Sequence, residues 1–221
     1  MFGKSSKNLF DIYNAPLKLS EQVVICVPTN GLVHAAFTYS LINAIRYTEA
    51  QGIPVILDMD AGTVLSNQRQ VLLDTAIDLH QADHIMWFDS DMTFPEDTIV
   101  RLLEHKKDVV CATYSKRVEP FHPTAFYNID PVEPVDVTGH GLVQINYTGM
   151  GCVLHRASVI DHMPSPHFPL IWHPPTSTWQ GEDMGFCQAL TSNGFEIWCD
   201  LDLSRAIGHL GVQEFRVNQA S

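Results

Sequence analysis

The sequence predicts an α/β fold with a mostly parallel central sheet, helices on its faces and a small antiparallel extension. Short apolar runs of strand length alternate with segments of helical periodicity, which is typical of a parallel sheet with crossover helices. Several of these runs end in polar loops, and the carboxyl ends of parallel strands lie at one edge of a sheet. The proline-rich series of short β-like segments from residue 116 to residue 147 predicts the antiparallel extension.

Length and composition indicate one globular domain. A chain of 221 residues can bury a substantial core, and 45% hydrophobic with 17% charged residues is ordinary for globular proteins. Residues 1–20 are polar and are predicted to form an N-terminal arm, so the domain is expected to span residues 21–221. Five widely spaced cysteines are expected to be free core thiols, not disulfide partners or zinc ligands.

Charge and hydropathy exclude some classes of partner. No apolar run approaches the roughly 20 residues of a membrane span, and the first ten residues lack the apolar core of a signal peptide. We therefore expect a cytoplasmic protein without a membrane span. The formal net charge of -12 disfavours nonspecific attachment to phosphate backbones. A local basic edge could still be formed by Lys106, Lys107, Lys116 and Arg117.

The first half of the chain is predicted to alternate between strands and helices. Residues 23–28 and 54–60 are expected to be buried strands, each ending in polar residues. Two helices are expected between residues 33 and 45 and between residues 67 and 82. Their inward-facing residues are predicted to be Val33, Phe37, Leu41 and Ile45 in the first helix, and Leu72, Ala76 and Leu79 in the second.

The second half continues this alternation and adds the extension. Apolar runs predict strands at residues 85–88, 108–114 and 195–200. Helices are predicted at residues 95–106, 157–162 and 181–193. Gly149 and Gly151 flank a methionine, which predicts a close backbone approach or a positive φ.

A metal site is predicted where the apolar run 85–88 ends in Asp89, Ser90 and Asp91. Two carboxylates one residue apart repel each other unless a cation lies between them, and divalent ions accept carboxylate oxygens readily. The alternative is that both acids are turn or capping residues, which is the commoner role of aspartate between two elements. The same Asp-x-Asp spacing recurs at residues 58–60 and 200–202, so spacing alone does not choose among the three.

Three later segments carry candidate site residues, each with a structural alternative. The proline-rich loop 163–180 contains Trp172, His173 and Trp179, and a long loop with aromatic residues is often functional. Glu182 and Asp183 open a predicted helix, where acids are also ordinary capping residues. His209 lies between glycines. It is either a turn residue or an imidazole ligand for manganese or zinc.

The order of motifs resembles that of GT-A (nucleotide-diphospho-sugar transferase) glycosyltransferases, specifically the family-two-like enzymes and their small phage and bacterial relatives. The resemblance extends from about residue 23 to residue 211. Its motifs are VVICVPTNG, SNQRQ, WFDSDMTFPED, DVVCATYSKR, YTGMGCVLHR, WQGEDMGFCQAL and IGHLG. Membership of this family would imply the GT-A fold and transfer of a sugar from a nucleotide donor, in the cytoplasm of a bacterium or of an infected host cell.

The resemblance implies a role for each matching residue. Asp89, Asp91 and His209 would hold a divalent cation, manganese or alternatively magnesium. Asp183 would be the catalytic base of an inverting reaction, and Glu182 would orient the acceptor or Asp183. The donor contacts would be Pro28, Thr29, Asn30, Asp58, Arg69 and Ser90. The loop of Trp172, His173 and Trp179 would bind the acceptor, since aromatic faces stack on sugar rings or bases.

The sequence leaves alternatives open for the acceptor and for the reaction class. The hydroxyl acceptor could be a hydroxymethylated base in phage DNA or a glycan. A nucleotidyltransferase also uses paired acids and a metal, but the first strand is not followed by the glycine-rich basic loop of that class. A third possibility is a non-catalytic domain that binds a nucleotide sugar or a carbohydrate, because a fold does not establish an activity. The sequence does not indicate an oligomeric state.

Overall fold

The computed structural model of the protein describes residues 21–117 and 120–211. The predicted N-terminal arm, residues 1–20, lies outside the described residues. Within the described ranges, no helix is both long enough and apolar enough to cross a membrane. All five cysteines are buried, as expected for core residues.

The first half of the chain forms alternating strands and helices, as predicted. In chain order the elements are β1 (Val23–Thr29), α1 (Ala35–Ala50), β2 (Val55–Ala61), α2 (Leu65–Asp74), a π-helical turn (Thr75–Leu79), β3 (His84–Phe88), β4 (Met92–Thr93), α3 (Thr98–Glu104) and β5 (Val109–Cys111). The apolar strand β3 is completely buried, which explains its continuous run of Ile85, Met86, Trp87 and Phe88.

The second half contributes short strands, two hairpins and one longer helix. Its elements are β6 (Phe126–Ile129), β7 (Val132–Pro134), β8 (Leu142–Ile145), β9 (Cys152–Arg156), a 3-10 helix (Ala157–His162), β10 (Ile171–His173), β11 (Thr178–Gln180), α4 (Glu182–Ser192), β12 (Ile197–Asp200), α5 (Leu201–Ser204) and β13 (Gly208–His209). The strands β6 and β7 form one antiparallel hairpin, and β10 and β11 form another.

The central sheet has seven strands in the order β2-β1-β3-β9-β5-β12-β8. Five of them run in one direction, whereas β9 and the edge strand β8 run in the opposite direction. This architecture confirms the predicted α/β class with a mostly parallel sheet and a small antiparallel extension. The extension consists of β8, while β6 and β7 form a separate two-stranded sheet that is joined to the segment after β8 by an isolated bridge between Phe126 and Tyr147.

The core lies on both faces of this sheet. Alternate residues of β3 point to opposite faces, as in any strand. Trp87 packs with Leu72 of α2 and Phe186 of α4 on one face. Phe88 packs on the other face with residues that include Phe37 of α1. The two layers hold the carboxyl ends of β1 and β3 side by side.

Four residues predicted to face inward or to lie in a buried strand are exposed. Val33 precedes α1 and is 42% exposed, because the helix begins two residues later. Leu79 is 72% exposed, since the second helix changes to a π-helical turn at Thr75 and its periodicity changes there. Leu57 and its neighbour Met59 are also exposed, because β2 is an edge strand of the sheet.

Candidate functional site

A cavity of about 550 Å³ opens at the carboxyl ends of β1 and β3, and we call it the strand-end cavity. It collects most of the predicted donor and metal residues. Its lining residues are Pro28, Thr29, Asn30, Gly62, Thr63, Leu65, Gln68, Asp89, Ser90, Asp91, Arg117 and His209. Asp58 is not among them. It shares a face of β2 with Ile56, which packs towards α2, and its carboxylate lies 3.8 Å from His80 Nε2.

The first loop of this cavity is held in shape by short local bonds. The backbone N–H of Gly31 donates to Thr29 Oγ1 at 3.2 Å, and the N–H of Leu32 donates to Asn30 Oδ1 at 3.2 Å. The buried Gln68 donates through Nε2 to the carbonyl oxygens of Thr29 and Asp60, each at 2.8 Å. Sequence reasoning missed Gln68, whose amide links the ends of β1 and β2 by donating to a backbone carbonyl of each strand.

The short pairing of β4 with β13 places His209 beside Asp91. His209 Nε2 lies 3.5 Å from Asp91 Oδ2, while its Nδ1–H donates to the carbonyl oxygen of Ser115 at 2.9 Å. A Cβ on Gly208 would collide with Thr93 Oγ1, so glycine is needed for the strands to approach. Hydrogen bonding to the Asp91 carboxylate raises the pKa of His209 above its usual value. The second bond, to Ser115, fixes the tautomer whose Nε2 faces Asp91.

Asp89 points to a different partner. Its Oδ1 lies 2.7 Å from Arg69 Nη2, and Arg69 Nε lies 3.1 Å from Glu182 Oε1. Arg69 is only 1% exposed and also lies over the ring of Trp87. Arg69, a predicted donor residue, thus bridges Asp89 and Glu182. Neither Arg69 nor Glu182 lines a cavity with the predicted donor or acceptor residues.

Two of the three predicted metal ligands lie close together. Carboxylate oxygen and neutral imidazole nitrogen are donors that manganese accepts, and Asp91 and His209 supply one of each. Within residues 21–117 and 120–211, no group of three or more His, Cys, Asp or Glu side chains is arranged to hold a metal ion. The third predicted ligand, Asp89, is paired with Arg69. Asp91 is itself paired with Arg117, whose Nη1 lies 2.8 Å from Asp91 Oδ2. An ion held by Asp91 and His209 would therefore share Asp91 with Arg117, and its remaining positions would be left to a ligand.

A second cavity, of about 370 Å³, lies between the two hairpins and the start of α4, and we call it the hairpin cavity. Its lining residues are Lys116, Thr124, Phe126, Ile129, Val132, His173, Thr176, Gln180, Asp183 and Met184. Lys116 lines this cavity and its chain neighbour Arg117 lines the strand-end cavity. The two cavities are thus adjacent, separated at this point by one short segment of chain.

Asp183 carries the carboxylate of the hairpin cavity. The N–H of Met184 donates to Asp183 Oδ1 at 2.8 Å, and Gly181 leaves room for this oxygen, since a Cβ there would lie 2.6 Å from it. Burial, together with the negative charge of Glu182, raises the pKa of Asp183 to about 6. A carboxylate with a pKa near 6 can accept a proton close to neutral pH more effectively than an ordinary aspartate.

Of the three predicted acceptor residues, only His173 lines the hairpin cavity. Trp172 and Trp179 are paired across the hairpin, with ring centroids 5.4 Å apart, and remain 46% and 65% exposed. Successive strand residues point to opposite faces of a hairpin. Both tryptophans therefore lie on the exposed face, and His173 and Gln180 lie on the face towards the cavity. Sequence reasoning placed all three residues in one loop and could not assign these faces.

Tyr114 explains the two glycines around Met150. Its hydroxyl oxygen accepts a hydrogen bond from the N–H of Gly151 at 3.1 Å, and its ring lies 5.1 Å from that of His209. A Cβ on Gly149 would lie 2.6 Å from the Tyr114 hydroxyl, and one on Gly151 would lie 2.7 Å from Tyr114 Cζ. The predicted close backbone approach is thus confirmed, and the tyrosine that it accommodates packs beneath His209.

Comparison with known proteins shows the fold. No family model and no curated protein sequence matches the chain. A197 from STIV has a TM-score of 0.54 and 13% identity, over 90% of this chain and 100% of that chain. S. aureus TarS 1-349 in complex with UDP-GlcNAc has a TM-score of 0.53 and 13% identity, over 90% of this chain and 61% of that chain. A longer TarS structure has a TM-score of 0.50 and 12% identity, over 86% of this chain and 37% of that chain. The chain has the GT-A fold predicted from its motifs.

Proposed function

We propose that the protein is a glycosyltransferase that moves a sugar from a nucleotide-diphosphate sugar to a hydroxyl acceptor. The observation that carries this proposal is the pair of adjacent cavities on a GT-A fold. One contains Asp91 and His209, and the other contains Asp183 with its raised pKa. The structural similarity to a TarS chain in complex with UDP-GlcNAc supports a nucleotide sugar as the donor.

The donor would occupy the strand-end cavity. Pro28, Thr29 and Asn30 would contact the nucleoside together with Ser90, all of which line this cavity. Asp91 and His209 would hold a divalent ion, manganese or alternatively magnesium, which when bound would neutralise the negative charge of the departing diphosphate. Arg117 Nη1 lies 2.8 Å from Asp91 Oδ2 and would add a second positive charge beside the same group.

The acceptor would enter the hairpin cavity with its hydroxyl at Asp183. The carboxylate would take the hydroxyl proton while the acceptor oxygen bonds to the anomeric carbon and the bond to the diphosphate oxygen breaks. Attack from the cavity opposite the leaving group would invert the anomeric configuration. Glu182 would act indirectly, because its ion pair with Arg69 holds the first turn of α4 that presents Asp183.

The test is a thermal-shift panel of nucleoside diphosphates and nucleotide sugars, each with manganese and with a chelator. We expect at least one nucleoside diphosphate to raise Tm with manganese and to lose this effect on chelation, since a ligand that binds only the folded state stabilises it. Asp91→Ala should abolish the metal-dependent shift. Asp202→Ala removes an exposed carboxylate outside both cavities and is the matched control.

Two results would contradict the proposal. A Tm shift that is independent of metal in the native protein would contradict the proposed metal site at Asp91 and His209. Release of pyrophosphate instead of a nucleoside diphosphate during turnover would indicate nucleotidyl transfer. Sugar transfer to a hydroxylated acceptor with release of a nucleoside diphosphate is the expected outcome.

A further inference from the structure

Lys116 gives the hairpin cavity a charge that transfer to a neutral acceptor does not require. Of the described residues lining this cavity, Lys116 is the only one with a permanent positive charge, and Asp183 is the only carboxylate. Lys116 Nζ lies over the ring of Phe126, 5.0 Å from its centroid. This cation–π contact places the ammonium group at the cavity wall, although the Lys116 side chain stays exposed.

The acidic composition of the chain makes the positive charge of Lys116 relevant to the choice of ligand. The chain has 13 lysines and arginines against 25 acidic residues, so its net charge repels anions and an anionic ligand needs a local cation. A lone ammonium group at a cavity wall attracts an anionic ligand and orients it as a point charge. A phosphate group of the acceptor is the ligand group that this arrangement fits best.

The rest of the cavity suits a small hydroxylated compound. Thr124, Thr176, His173 and Gln180 can donate or accept hydrogen bonds, whereas Phe126 and other apolar residues form the remaining wall. A volume of about 370 Å³ lies near the lower end of the range for small-molecule sites. The single lysine and the net charge of -12 both disfavour a long polyanion, which needs several cations along its path.

We infer that the acceptor is a hydroxylated monophosphate of the sugar-phosphate class, with its phosphate against Lys116 and its hydroxyl against Asp183. This inference rests on the proposed function and adds the chemical class of the acceptor. The phosphate takes no part in bond exchange. Its pairing with Lys116 positions the hydroxyl whose proton Asp183 removes.

The experiment measures binding by calorimetry, with glucose 6-phosphate and glucose as a matched pair of probes in the absence of donor. We expect the native protein to bind glucose 6-phosphate and to bind glucose much more weakly. Lys116→Gln should weaken glucose 6-phosphate binding about fivefold, as expected for loss of a partly exposed ion pair. Lys107→Gln makes the same change of charge and is the control. Lys107 precedes β5, whereas Lys116 follows it, so this substitution should leave binding unchanged.

A second variant locates the anion. Asp183→Asn removes the negative charge of the same cavity, so it should tighten glucose 6-phosphate binding while Lys116→Gln weakens it. Opposite effects of these two substitutions would place the phosphate in the cavity that both residues line, beside Lys116. Equal binding of glucose and glucose 6-phosphate, or no effect of Lys116→Gln, would overturn the inference.

The remaining outcomes separate this inference from the proposed function. Manganese-dependent binding of a nucleoside diphosphate should be the same in Lys116→Gln as in the native protein. If that binding is lost instead, Lys116 belongs to the donor site and the acceptor class is wrong, although the glycosyltransferase proposal survives. Tighter, Lys116-dependent binding of a single-stranded oligonucleotide than of glucose 6-phosphate would also overturn the inference, in favour of a nucleic acid.

Discussion

Asp183 and Asp91 show how surroundings assign different chemistry to the same side chain. Asp91 lies beside His209 and Arg117, and the hydrogen bond to His209 together with the charge of Arg117 lowers the pKa of its carboxylate. Asp183 lies beside Glu182 in a more buried position, and its pKa rises to about 6. The first environment keeps a carboxylate charged and suits metal binding, while the second favours proton uptake. The two roles therefore follow from neighbours and burial, not from residue type.

The pKa of Asp183 predicts the pH dependence of transfer. The base must be ionised, so kcat/KM should rise with pH and level off above about 6, and should fall about tenfold per pH unit below it. Asp183→Asn should remove this acidic limb together with nearly all transfer, and manganese-dependent donor binding should persist. A pH–rate profile of both proteins, with donor binding measured in parallel, checks this. Normal turnover of Asp183→Asn would contradict the base assignment.

The β4 and β13 pair is the smallest element on which the site depends. It contains two residues in each strand and brings His209 opposite Met92, one residue after Asp91. Because the pair is so short, its spacing depends on Gly208, whose missing Cβ leaves room for Thr93 Oγ1. A glycine in the IGHLG motif thus sets the distance from an imidazole to a carboxylate in another part of the chain.

Gly208→Ala should therefore weaken metal binding more than it weakens the fold. The added methyl group displaces β13 from β4 and moves His209 Nε2 away from Asp91. We expect the manganese-dependent thermal shift to require about tenfold more metal, a loss in the range for disrupting support of a metal ligand. Adding Thr93→Ala should restore part of the affinity, because it removes the colliding oxygen. Equal manganese dependence of the native protein and Gly208→Ala would contradict this role.

At the scale of the whole molecule, Arg69 connects the two halves of the fold. It extends from α2 to Asp89 after β3 and to Glu182 of α4, which are distant in sequence. Both ion pairs are largely buried, so each carboxylate depends on this guanidinium for its partner. Loss of one member of a buried ion-pair network leaves the others desolvated and unpaired.

Arg69→Met should consequently lower the free energy of unfolding by about 3–5 kcal/mol, measured by urea denaturation at pH 7.5. Arg156→Met is the matched control. Arg156 pairs with Glu21 and Asp108 at 3.7 and 3.6 Å on the surface, and its loss should cost less than about 1 kcal/mol. Similar effects of the two substitutions would show that the Arg69 bridge contributes little to stability.

The sequence predicted most elements of this architecture but fewer of its relations in space. Apolar runs identify β1, β3 and β5, and the polar residues after β1 and β3 meet in the strand-end cavity as predicted, whereas Asp58 of β2 does not line it. The insertion of β9 between β3 and β5 could not be read from the sequence, since periodicity reports a strand but not its neighbours. The same limit applies to side chains: Arg69 has the residue type of a phosphate ligand, and only packing shows that it is buried.

The position of β9 also has a consequence for the order in which the protein folds. One edge of β3 pairs with β1, and the other edge pairs with β9, which begins at Cys152. The second edge of β3 therefore stays unpaired until β9 has been synthesised. An unpaired apolar edge is a template for association with other chains. During translation, the nascent β1–β3 segment would therefore need protection for more than sixty further residues, and β9 precedes the helix α4 that carries Asp183.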